Sequence, residues 1–115
     1  MWPWRRRSRR QKQDGDRDAL LDICIDIADR VRDVDTALWQ RIHRRLGEVG
    51  VHAVVPDGEP FDGDRFDPVG RADTADRHRQ LTVAHTEFCG YVDGERVLRR
   101  PRVIVYRTEE VLGDA

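Results

Sequence analysis

The stretch Gly90–Val105, GYVDGERVLRRPRVIV, decides how this chain is read. Tyr91 and Val92 precede Asp93-Gly94, a dipeptide that supplies the positive φ angles of a tight hairpin turn. Arg96-Val97-Leu98-Arg99 follows as the return arm. Period-two alternation predicts Val97 and Arg99 on one face, with Arg96 and Leu98 on the other. Pro101 has no N–H to give to a ladder and is expected at an edge or a bulge. Val103-Ile104-Val105-Tyr106 then has the composition of a buried strand. The expectation is one small sheet whose ribbon carries Arg96, Arg99, Arg100 and Arg102, rigid and suited to meeting a partner.

Working outward, 115 residues make one domain, or one small domain with a helical appendage. With 38% of residues apolar and 37% charged, the core is thin, and pairing with a second copy would bury more surface. No apolar run approaches the roughly 18 residues of a membrane span. No apolar segment follows the basic start, which argues against a signal peptide. The expected location is cytoplasmic. Cys24 and Cys89 lie far apart without CxxC spacing, so two reduced, buried thiols are expected.

The net charge of −1 hides an asymmetry. Residues 1–12 carry +6, leaving fifteen basic against twenty-two acidic residues, or −7, in the remainder. A basic tail on an acidic body can bind nucleic acid or an anionic membrane surface, with Trp2 and Trp4 placed to stack on bases or sit at the interface. The simpler expectation is a solvated, disordered tail and linker over 1–17, with Asp16 or Asp18 capping the first helix.

From Ala19 to Val34, Leu20, Cys24, Ile27, Val31 and Val34 follow the 4-3-4-3 spacing of a helical seam. Ile23 widens that stripe and Ile25 falls off it. Asp35-Thr36 is a break and a new N-cap, and a second helix is expected from about Ala37 to Glu48. Its stripe is Leu38, Ile42, Leu46 and Val49, with His43 on the flank, and Gly47 and Gly50 end it. Two such helices form an αα-hairpin over 18–50 that cannot cover its own apolar faces. A homodimeric four-helix bundle is expected, through Leu20, Cys24, Ile27, Val31, Leu38 and Ile42. The fold class is therefore α+β, with a small all-β domain over 51–107 and an exposed tail over 108–115. Within that domain Val51–Val55 and Leu81–Phe88 are expected as strands, and the segments 61–69 and 70–80 as loops.

Catalytic and metal chemistry find little support. There is no GxxxxGK[ST] and no GxGxxG after a strand. The only serine, Ser8, lies in the basic tail. The histidines are scattered without metal-ligand spacing. Asp62, Asp64 and Asp67 lack the glycine and closing glutamate of an EF-hand loop. No cofactor or metal is expected, and the chain is read as a binding protein rather than an enzyme.

The second half resembles the C-terminal domain of the GrpE family, the nucleotide exchange factors of the Hsp70 chaperone DnaK. The resemblance rests on Leu46-Gly47-Glu48-Val49-Gly50-Val51, Gly58-Glu59-Pro60-Phe61-Asp62, Gly90-Tyr91, Arg96-Val97-Leu98-Arg99 and Val103-x-Val105. These pieces stand in the family's order over about residues 38–106. Phe66-Asp67-Pro68-Val69 departs from the family's His-Glu-Ala-Val, and Arg100-Pro101 from its Pro-Ala. The family's long N-terminal coiled-coil helix has no counterpart.

The resemblance implies a stress-response co-chaperone whose β-domain wedges into the Hsp70 nucleotide-binding domain and promotes ADP release. It implies partner contacts by Arg96 and Arg99, with Leu98, Phe61 and Val105 giving apolar contact or support. A GrpE-like scaffold without exchange activity, and a nucleic-acid or membrane adaptor acting through residues 1–12, are the alternatives.

Overall fold

The computed structural model describes residues 8–108. The expectations for Trp2, Trp4 and the first arginines, and for the tail over 109–115, fall outside the described residues. The described chain is α+β, two helices followed by two three-stranded sheets. It divides into two compact units between Ile42 and His43.

Helix α1 spans Arg9–Val31 and begins ten residues before the expected Ala19. Its start is fixed by a reciprocal cap. The Ser8 hydroxyl accepts from the Gln11 amide at 3.1 Å, and the Gln11 side chain accepts from the Ser8 N–H at 3.0 Å. Ser8-x-x-Gln11 is a capping-box spacing. It turns most of the expected linker into helix, at a cost of about 1 kcal/mol for Gly15 in the interior. The buried stripe of α1 is Leu21, Ile25 and Ala28. Ile25, expected off the main stripe, lies at its centre. Leu20, Ile23 and Ile27 are 62%, 55% and 44% exposed, and Cys24 and Val31 are half-buried.

Helix α2 spans Thr36–Glu48. Asp35 caps it, its carboxylate accepting from the Leu38 amide at 3.0 Å. Burial rises along the stripe, from exposed Leu38 through half-buried Ile42 to buried Leu46. Gly47 stays inside the helix, and Gly50, at φ +87°, turns the chain into β1.

In the second unit, β1 (Val51–Val54), β4 (Gly90–Asp93) and β5 (Arg96–Arg99) form an antiparallel sheet in the order β1-β4-β5. The other sheet has the order β2-β6-β3, from β2 (Asp67–Asp73), β3 (Val83–Phe88) and β6 (Arg102–Arg107). There β6 runs parallel to β2 and antiparallel to β3. The single expected ribbon is thus split, since β5 and β6 belong to different sheets. Two of the three chain crossings between the sheets, through Cys89 and through Arg100-Pro101, pass the same point. A Cβ on Gly90 would lie 2.5 Å from Pro101 Cδ. Only glycine fits there, for reasons of space.

The core beneath β2-β6-β3 is Phe66, Val83, Val103 and Val105, with Phe61 packed on its rim and edge-on to Phe66 at 6.4 Å. Strand β2 lies where loop was expected over 61–69 and 70–80. It is an edge strand, exposed along most of its length, with Pro68, Gly70 and a register slip between them. Its partner is supplied by backbone pairing with β6, so no apolar alternation marks it. Thr108 is buried rather than part of an exposed tail, its amide donating to Gln80 Oε1. Cys24 and Cys89 are free thiols, Cys89 buried and Cys24 only half-buried. Among the described residues, no helix is long and apolar enough to cross a membrane.

Candidate protein-binding surface

The β4-β5 hairpin turns through Gly94-Glu95, one residue later than the dipeptide expected. Asp93 pairs with Arg96, and Gly94 alone has positive φ, at +61°. A glycine at the first central position with a negative φ after it is the pattern of a type II′ turn. The Gly94 amide also donates to the Gly50 carbonyl at 3.2 Å, tying the turn to the start of β1.

The register of this hairpin changes which side chains share a face. Tyr91 pairs with Arg99, but Val92 pairs with Val97, so Leu98 is a bulge residue. Cross-strand partners share a face. Arg96 and Arg99 therefore join Asp93 and Tyr91 on one side, and Val97 stands with Val92 on the other. Strict alternation had placed Val97 with Arg99. The bulge brings the two candidate arginines together.

The two arginines are held differently. Arg96 is exposed at the turn, with one guanidinium nitrogen 3.3 Å from Asp93 Oδ2. Arg99 is half-buried, and its Nε donates to the Cys89 carbonyl at 2.9 Å. The Arg99 guanidinium lies over the Tyr91 ring at 5.3 Å and over the Phe88 ring at 5.7 Å. On α2, His43 stacks on Tyr91, with ring centroids 5.6 Å apart and planes 11° apart, and its Nε2 lies 2.7 Å from the Tyr91 hydroxyl. From β6, Arg102 reaches over Phe88 at 5.6 Å. The neighbours form a file: His43, Tyr91, Arg99, Phe88, Arg102. Cation and aromatic alternate through its outer part, an attractive arrangement because each ring face is electronegative.

The remaining candidates fall into two groups. Leu98 is half-buried in the bulge, on the same ribbon as Arg96 and Arg99. Val105 is 3% exposed within the β2-β6-β3 core and Phe61 is half-buried against that core. Of contact or support, Val105 can give only support, because its strand-alternation partner face is filled by Phe66, Val83 and Val103.

Arg100, another arginine of the expected ribbon, has a structural role in this chain. Its guanidinium donates to the carbonyls of Gly63 and Phe66 and lies 3.2 Å from Asp67 Oδ1 at its Nε. That Nε makes no hydrogen bond, so the Asp67 contact is one of charge rather than of aligned donor and acceptor. The clamp holds the 62–67 turn, where Asp62 also accepts from the Asp64 amide at 2.9 Å. Asp62 and Asp67 therefore have a backbone and an arginine partner respectively. No group of three or more metal-ligating side chains occurs among the described residues.

Phe88 was not among the candidates from sequence, and Arg102 stood there only as one of the four arginines of the expected ribbon. Phe88 was assigned only to a strand. Its exposure, 39% for an aromatic side chain, was not readable without knowing which face of β3 is covered. No family model matches the chain, and no curated protein matches it.

Proposed function

We propose that this chain is a GrpE-like nucleotide exchange factor, a homodimeric co-chaperone that binds the nucleotide-binding domain of an Hsp70 chaperone and promotes ADP release. In this reading residues 51–107 form a GrpE-like head, and the helices pair with those of a second copy in a four-helix bundle. No bond is made or broken by the protein itself. A binder that favours the open state of its partner lowers ADP affinity by the ratio of its affinities for the two states, and ADP weakens the binder by the same factor.

The observation that carries the reading is the bulge at Leu98, which gathers Arg96 and Arg99 on one face of a hairpin pinned at both ends. A wedge must be rigid, because disorder removed on binding subtracts from affinity. Arg96 is the leading contact residue, being exposed at the tip. The dimer is supported by the exposed row Leu20, Ile23 and Ile27 on α1.

The test is release of a fluorescent ADP analogue from the Hsp70 of the same cell. Acceleration by catalytic amounts of the chain, reduced about tenfold or more by Arg96→Ala, is the expected result. No acceleration with any Hsp70 of that cell sinks the exchange reading.

A further inference from the structure

We propose that Phe88 and Arg102, at the outer end of the stacked file, form a second anchor that binds a carboxylate on the acidic surface of the folded partner. The proposal rests on the exchange-factor reading for the identity of that partner, and adds to it a site on a different sheet from Arg96.

Three observations carry it. First, Arg102 is exposed and makes no ion pair among the described residues, yet its side chain is not loose. Its guanidinium stands over Phe88, whose ring is held in turn against Arg99, and Arg99 is fixed by the Cys89 carbonyl and by Tyr91. A flexible arginine loses rotamer freedom when it binds. One already stacked loses less, so more of its interaction appears as affinity. Second, Phe88 is a large apolar side chain left open at the surface beside that charge. An aromatic with an arginine is the composition that concentrates binding energy at protein interfaces. Third, the guanidinium is a planar fork suited to a carboxylate, and bidentate pairing of that kind is short and strong.

The surroundings favour a protein carboxylate over a nucleic acid. Asp67 is the register partner of Arg102, Glu87 precedes Phe88, and Asp93 faces Arg96. The positive charge is thus a spot framed by acids, not a stripe that could follow a phosphate backbone. With two guanidiniums over it, the Phe88 ring is already in use and is poorly placed to stack on a base.

The test measures binding of the full chain to the nucleotide-binding domain of the Hsp70 above, by calorimetry at about 0.15 M salt, a physiological ionic strength. Arg102→Ala is expected to weaken binding about tenfold and Arg102→Glu about a hundredfold. Arg102→Lys should recover only part of the loss, because charge without the fork remains. Phe88→Ala should weaken binding about threefold to tenfold, with Phe88→Leu intermediate. Melting temperatures of the Arg102 variants should match the unsubstituted chain, since that side chain is exposed.

Binding by the unsubstituted chain that is unaffected by Arg102→Glu overturns the second anchor and leaves the exchange reading standing. No binding by the unsubstituted chain overturns both. Binding of a single-stranded 20-mer oligonucleotide that Arg102→Ala abolishes, with Hsp70 binding unchanged, overturns it in favour of a phosphate site.

Discussion

Replacing Gly90 by alanine should do more damage than its single methyl suggests. An ideal Cβ there would lie 2.5 Å from Pro101 Cδ, 2.8 Å from the Pro101 nitrogen and 3.0 Å from the Arg99 carbonyl oxygen. Carbon contacts are comfortable near 3.5–4.0 Å, so the two chain crossings must separate by about 1 Å. Two of the three clashing atoms are backbone, and the third belongs to a ring, so no side chain can rotate aside. Overpacking usually costs about 1–3 kcal/mol, and a clash against backbone belongs at the upper end, about 3 kcal/mol. Each kcal/mol lowers Tm by about 4–8 °C in a domain of this size, so the expected loss is about 12–24 °C.

Gly94→Ala supplies the control. It puts alanine at φ +61° with nothing within 4 Å, so only the backbone penalty of about 1–2 kcal/mol applies. Urea unfolding followed by circular dichroism gives both values from the shift in midpoint, provided the slope is unchanged. If Gly90→Ala is as stable as Gly94→Ala, the two sheets are not stitched at that point and the argument from close approach is wrong.

Other substitutions probe other parts of the chain. Leu81 has φ +64°, a left-handed conformation that costs a non-glycine residue about 1–2 kcal/mol. It is also 44% exposed, so Leu81→Gly should leave Tm unchanged or raise it in a thermal melt. Tyr91→Phe removes a buried hydroxyl 2.7 Å from His43 Nε2 and should cost about 1 kcal/mol by urea titration, with little change in shape. Ile27→Asp places a charge in the exposed apolar row of α1. If the proposed dimer forms through that row, sedimentation should then report a shift toward monomer, whereas the same change at exposed Gln40 should not.

Much of the hairpin was legible in the order of its residues. Asp93-Gly94 announced a turn and Pro101 an interruption, and both lie where elements end, while Val103–Tyr106 announced a strand and lies within β6. The start of α1 was missed: the expected cap was Asp16 or Asp18, because the segment before it is polar and holds Gly15, whereas Ser8 and Gln11 close the cap. Local chemistry of this kind is readable because a cap or a turn is satisfied by residues three or four apart.

What pairs across long separations was decided elsewhere. Strand β2 carries no alternating apolar signal, and exists because β6, more than thirty residues later, offers it a parallel backbone ladder. The same is true of the face of a side chain. Alternation along Arg96–Arg99 separates the two arginines, and only the slip in register against β4 reunites them. The expected seam of α1, Leu20-Cys24-Ile27, is likewise not the stripe that the chain buries, Leu21-Ile25-Ala28, since both have helical spacing. Phe88 and Arg102 became neighbours only when β3 met β6. The sequence by itself determined the elements that close through local hydrogen bonds. The tertiary structure decided register, facing and burial, because each depends on a partner that the chain reaches only by folding.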